Sequence, residues 1–163
     1  MSDALTMTLN NNVQIPQLGF GVFQVPPQDA ERVVSIALET GYRSIGTAAA
    51  YHNEEGVGRA LASSGLPRDE IFVTKKLWIS DHGYDQALRA FDASVGRLGL
   101  ETVDLYLVHW PVPRRRPVRR NLEGIGEAGR GRPGVSDRSI QLHRRAPATA
   151  ARRDRYGARR QSN

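Results

Sequence analysis

Residues 1–112 predict an α/β fold built on a parallel sheet, and residues 113–163 predict no folded domain. In the first segment, short apolar runs of strand length alternate with amphipathic stretches of helix length. The order is strand–helix–strand–helix–strand–helix–strand, and alternation of this kind implies parallel strands joined by crossovers. The second segment is set apart by composition. Residues 1–112 hold 8 Lys+Arg against 13 Asp+Glu, a net of −5, whereas residues 113–163 hold 15 arginines against 4 acids, a net of +11. The formal charge of +6 for the whole chain therefore averages two unlike parts.

The elements follow in chain order. Thr6–Asn10 and Val13–Ile15 flank the turn-prone Asn10-Asn11-Asn12 and predict a short hairpin. Leu18–Phe23 predicts the first strand of the sheet, broken by Pro26 and Pro27. From Gln28, Ala30, Val33, Val34, Ala37 and Leu38 fall on one helical face, and Gly41 closes that helix. Tyr42–Ile45 is a second strand. Asn53 is placed to cap a second helix, whose apolar face is Val57, Ala60 and Leu61 and which Gly65 closes. Ile71–Thr74 is a third strand. Tyr84, Leu88, Phe91, Val95 and Leu98 recur at steps of 4, 3, 4 and 3, the stripe of a third helix. Val103–Val108 is nearly all apolar, as a strand buried on both faces should be.

Composition narrows the function classes. The chain has no cysteine, which excludes disulfides and thiolate metal sites and fits a reducing compartment. The N-terminus has neither a basic start nor an apolar stretch of signal length, and no apolar run is long enough to span a bilayer, so a soluble cytoplasmic protein is expected. His52, His82, His109 and His143 include no pair at metal-ligand spacing, so no metal site is expected. The arginines of residues 113–163 come with Pro, Gly and Ala and a single aromatic, Tyr156, which argues against nucleic acid as a partner. Seven large apolar residues among those 51 cannot offset the entropy of ordering the backbone, so this tail is expected to be disordered.

Pattern alone leaves two architectures open, a doubly wound sheet and a (β/α)₈ barrel. Gly19-Phe20-Gly21 lacks the third glycine of a dinucleotide fingerprint and opens no helix within a turn. The polar residues at strand ends favour the barrel. Ser44-Ile-Gly-Thr-Ala-Ala-Ala-Tyr51 follows the second strand, Thr74-Lys-Lys-Leu-Trp78 the third, and Leu107-Val-His-Trp-Pro111 the fourth. Barrel enzymes gather catalytic groups at the C-terminal ends of several strands, where Tyr51, Lys76 and His109 would all sit. Singly, each is as readily a packing residue or a surface charge, and Trp78 and Trp110 suit core and pocket equally.

With Leu18-Gly-Phe-Gly21, Asn53-Glu-Glu-Gly-Val-Gly58, Lys76-Leu-Trp78 and Val103-Asp-Leu-Tyr-Leu-Val-His-Trp-Pro111 in this order, residues 1–112 resemble the aldo-keto reductases. The resemblance implies a partial (β/α)₈ TIM barrel of about four strands and three helices, with NADPH as cofactor and a small carbonyl compound as substrate. Aldehydes or ketones would be reduced to alcohols. Tyr51 would donate the proton to the carbonyl oxygen, Lys76 would tune the phenol, and His109 would orient the carbonyl. Gly21, Val22 and Phe23 would touch the cofactor, and Phe23, Trp78 and Trp110 would wall the substrate pocket. Three positions depart from the family. Gly46 stands where the family has an aspartate that pairs with the lysine, and Ile79 replaces a usual asparagine. Lys75 replaces a usual threonine and is expected to crowd Lys76 with a second cation. Together these departures predict a disabled enzyme.

The second segment also yields to the genetic code. Shifted by one base, Arg116 to Glu123 permits Asp-Arg-Tyr-Val-Glu-Thr-Trp-Lys, and Val135 to Leu142 permits Ser-Ala-Ile-Gly-Val-Ser-Asn-Phe. Both resemble the family's next segments, in the right order. This predicts that residues 113–163 are an out-of-frame reading of a reductase, leaving a half barrel without later parts of the cofactor site. The competing reading is a non-catalytic protein whose basic tail binds nucleic acid or anionic surfaces.

Overall fold

The structure is a computed structural model that describes residues 5–9 and 12–110. The tail assigned to residues 113–163 lies outside the described residues. A two-stranded antiparallel hairpin comes first, β1 (Thr6–Thr8) and β2 (Gln14–Pro16). The sheet proper is β3 (Phe20–Gly21), β4 (Ser44–Gly46), β5 (Phe72–Leu77) and β6 (Leu105–Val108). All neighbours are parallel, in the order β3-β4-β5-β6. Between them run α1 (Ala30–Glu39), α2 (Glu54–Ser63) and α3 (Tyr84–Leu98). Each expected element is present, with shifted bounds. β3 is shorter than the Leu18–Phe23 expected, and β5 runs on past Thr74 to Leu77.

The three helices form one outer layer, with α2 packed between α1 and α3. The core lies between this layer and the sheet. Val34, Leu38, Val57, Leu61, Phe91 and Leu98 of the helices meet Ile45, Val73, Leu77 and Tyr106 of the strands. Strand side chains alternate between faces, so Val73, Lys75 and Leu77 form one row toward the helices and Thr74 and Lys76 point the other way. Burial agrees: the first three are fully buried and the latter two only partly.

Glycine permits two local features. Gly99 ends α3 at φ +63°, a left-handed position where a side chain is strained, and the Leu100 N–H then bonds back to the Val95 carbonyl at 3.0 Å. Gly58 lies against the end of α3, where a methyl group would overlap the Leu98 carbonyl. No helix among the described residues is long and apolar enough to cross a membrane.

Candidate active site

The predicted residues meet at the C-terminal ends of the parallel strands. A short 3₁₀ turn, Ala49–Tyr51, follows β4 and is ended by His52 at φ 55°. It carries Tyr51 over the end of β5, where Lys76 Nζ lies 3.2 Å from the phenol oxygen. His109, just past β6, sets its ring edge-on to Tyr51 at 5.7 Å between centroids and to Trp78 at 5.2 Å. Phe23 closes the other side, 5.2 Å from the Tyr51 ring. Trp110 stacks on His109 at 6.4 Å and is 60% exposed. Trp78 also lines a cleft of about 720 Å³ with Ala49, Ala50 and Asp81. Tyr51, Lys76, His109, Phe23 and Trp78 thus share one locus, with Trp110 at its rim.

The remaining positions support that locus. Gly46 follows the core residue Ile45, so alternation turns it toward the face that holds Lys76. A β-carbon at Gly46 would meet its nearest neighbours at 3.9 Å, an ordinary contact. Among the described residues Lys76 makes no ion pair. Gly21 pairs with Gly46 across the sheet. Val22 is fully buried; its N–H donates to the Gly46 carbonyl at 3.1 Å and its own carbonyl accepts from Asn53. Val22 therefore fixes the loop, and Phe23 is the side chain the loop presents.

Burial, then the charge of Lys76, pulls the His109 imidazole below its ordinary 6.5. The ring is neutral at pH 7 and offers one donor and one acceptor nitrogen. Its Nδ1 is buried without a hydrogen-bond partner among the described residues.

A sequence profile of the Aldo/keto reductase family matches residues 17–141. The chain belongs to this family. It is 61% identical over 107 residues to an aldo-keto reductase of Mycolicibacterium smegmatis, a match covering 66% of this chain and 39% of that protein. The crystal structure of an aldo/keto reductase from Brucella melitensis superposes with a TM-score of 0.75 at 47% identity, over 80% of this chain and 51% of that one. The Bombyx mori aldo-keto reductase, solved in complex with NADP, gives a TM-score of 0.70 at 34% identity, over 78% and 47%. The four parallel strands are thus part of an aldo/keto reductase barrel. The chain spans about two-fifths of the length of the curated relatives it matches.

One expectation needs correction and another needs refining. Lys75 does not crowd Lys76. Because β5 extends through Leu77, the two lysines sit on opposite faces of one strand, and Lys75 is buried among the helices. There it hydrogen-bonds Ser94 of α3, pairs with Glu54 of α2 at 3.5 Å and lies 5.2 Å from the Tyr106 ring centroid. Burial pulls its amine below the usual lysine range against the opposing pull of Glu54, and Arg97 lowers it further. Asn53 is the N-cap residue of α2, as expected, and its carbonyl accepts the Val57 N–H at 3.1 Å, but its side chain makes no capping bond. Its side-chain amide donates to the Val22 and Val25 carbonyls at 2.9 and 3.0 Å, and its oxygen accepts from Thr47 at 3.2 Å. It thereby ties the loop after β3 to the segment after β4. Sequence reading missed this clamp and the Glu54–Lys75–Ser94–Arg97 cluster. The one available signal was the alternation Val73, Lys75, Leu77 within an otherwise buried strand.

Proposed function

We propose that this locus is the proton-donating end of a site that reduces a small aldehyde or ketone with NADPH. The observation that carries the reading is the Tyr51–Lys76 contact, 3.2 Å long, with the His109 ring set edge-on beside it. Tyr51 donates its phenolic proton to the carbonyl oxygen, and the Lys76 ammonium faces the phenolate left behind. His109 holds the carbonyl by its other ring nitrogen, Nε2, since Nδ1 is buried. Phe23, Trp78 and Trp110 supply apolar walls against which the substrate packs, and Phe23 and Trp110 are exposed. NADPH, when bound, supplies the hydride. The residues present fit its reactive end, since Phe23 projects beside Tyr51 from a loop fixed by Asn53. NADP in the Bombyx mori relative supports this cofactor by family.

Turnover by this chain is low in this reading. A Lys76 without a carboxylate neighbour is free to leave Tyr51, and Gly46 leaves open the place where the family carries an aspartate. Loss of NADPH absorbance with an aromatic aldehyde tests the proposal. A slow rate is expected that rises about tenfold in Gly46→Asp, the effect of holding one charge in place, and disappears in Tyr51→Phe. A rate indifferent to Tyr51→Phe would refute the assignment.

We also infer that residues 113–163 are read out of frame. The support is the pair of ordered matches uncovered by a one-base shift, together with an arginine-rich, lysine-free composition, and it stands against a family profile that runs on to residue 141 while the 61% identical relative aligns over 107 residues. Sequencing the codons for Pro111 to Pro117 decides it: an intact basic frame with no reductase frame beneath it ends the idea.

A further inference from the structure

The chain contains only two lysines, and they are neighbours on β5. Each reaches the segment that follows β4. On the inner face Lys76 meets Tyr51, the last residue of the 3₁₀ turn. On the outer face Lys75 meets Glu54, the first residue of α2 and three positions further on. The two contacts join the same two pieces of backbone from opposite sides of the strand.

We propose that Lys75 and Glu54 are positioning residues, and that their buried pair sets the distance between Tyr51 and Lys76. Asn53 and the Thr47 N–H already anchor this segment, to the loop after β3 and to Thr74 of β5, but among side chains of β5 the Lys76 contact alone would hold the turn from one face of the strand only. Two contacts on opposite faces, with only Lys75–Lys76 on one side and Tyr51–Glu54 on the other, hold it from both. The outer pair suits this task because it is buried and multiply held. Lys75 is fully buried and Glu54 is 1% exposed. Ser94 of α3 accepts a hydrogen bond from Lys75, and Arg97 of α3 pairs with Glu54 at 2.7 Å. The inner contact has no comparable support: among the described residues Lys76 has no ion pair, and Gly46 offers no side chain to hold it. Buried ionic groups are poor sources of net stability but can fix one geometry among several.

The inference rests on the proposed reductase reading only in what it makes the geometry useful for, so its test does not require turnover. In the full chain labelled with ¹⁵N and ¹³C at lysine, two side-chain signals are expected, and in Lys75→Met only that of Lys76 remains. Tyr51→Phe should move the Lys76 signal in the parent. In Lys75→Met the Lys76 signal should already have moved, and adding Tyr51→Phe should change it by about half as much or less, the signature of coupled sites. Glu54→Gln, which keeps both lysines, should do the same and serves if Lys75→Met does not fold. An equal Tyr51→Phe shift in parent and folded variant overturns the proposal. Where turnover is measurable, Lys75→Met should lower kcat and leave KM unchanged. An absence of carbonyl reduction in the parent would count against the reductase reading alone, since the lysine signals report the contact regardless.

Discussion

Lys75 and Lys76 share a strand, a side chain and a formal charge, and the pleat of β5 sends them into different environments. The outer lysine is buried against the helices, where Glu54 and Ser94 hold it and Arg97 in turn pairs with Glu54. The inner lysine stands at the mouth of the sheet, half-buried, beside Tyr51 and with no ion pair among the described residues. Residue type and sequence distance therefore say little about which lysine belongs to the site. The phase of a two-residue repeat decides, and phase is fixed by Val73 and Leu77, which must face the helices.

If the outer face carries stability and the inner face chemistry, variants on the two should separate. The largest loss of stability is expected at Phe91, 2% exposed on α3 and 5.4 Å from the Tyr106 ring. Phe91→Ala removes a buried aromatic and should cost about 3–5 kcal/mol in urea unfolding, enough to unfold a marginal chain. Tyr51→Phe removes one hydroxyl from a half-buried ring and should change stability by less than about 1 kcal/mol while removing turnover. A Tyr51→Phe chain as unstable as Phe91→Ala would break the division between the faces.

Lys75→Met is the smaller test on the outer face. Removing one partner of a buried pair usually strands the other charge, but Glu54 keeps Arg97 at 2.7 Å, so a change within about 2 kcal/mol of the parent is expected. The pH dependence is more telling. Lys75 is held below its ordinary 10.5 by burial first, so just below that pH the unfolded chain binds more protons than the folded one. Stability due to this group therefore rises as pH climbs through that window. Tyr106 acts oppositely: burial first raises its phenol, and its contribution is lost as pH passes 10. The difference between parent and Lys75→Met isolates the lysine. It should shrink or grow with pH only in the alkaline window, and a flat difference would mean that Lys75 titrates as an exposed amine.

Helices and strand order were legible in the sequence because apolar spacing survives without knowledge of tertiary partners. Strand limits were less so. Lys75-Lys76 lies past the expected end at Thr74, and pairing with β6, which sets Lys75 against Tyr106 and Leu77 against Val108, carries β5 on to Leu77. Tyr51, Lys76, His109 and Trp78 were legible as strand-end residues and do converge. The partners of Lys75 lie 21 and 19 positions away at Glu54 and Ser94, and those of Asn53 lie 31 and 28 positions upstream at Val22 and Val25. No local pattern encodes contacts at such separations. A buried lysine and an asparagine tying two loops are therefore what a sequence shows only as a surface charge and a cap.

His109 reports which lysine belongs to the site. Its folded value is depressed, so as pH falls through the ordinary 6.5 the unfolded chain takes up a proton before the folded one. The stability this ring contributes is complete above 6.5 and is lost as pH drops toward the lower folded value. His82 is depressed in the same direction, by burial with Asp81 opposing, so the two are separated by substitution: His109→Gln should remove one part of the acid loss and His82→Gln the other. The effect at His109 has two causes, burial and then the nearby charge of Lys76. Lys76→Met should therefore raise the His109 titration and narrow the acid window, whereas Lys75→Met, which keeps the Lys76 charge and only lets it move, should shift it less. Following the imidazole by proton NMR through the acid range distinguishes the two variants. Equal shifts from both would mean that the Lys76 charge is not what acts on the ring, and the placing of Lys76 at the site with Lys75 behind it would have to be given up.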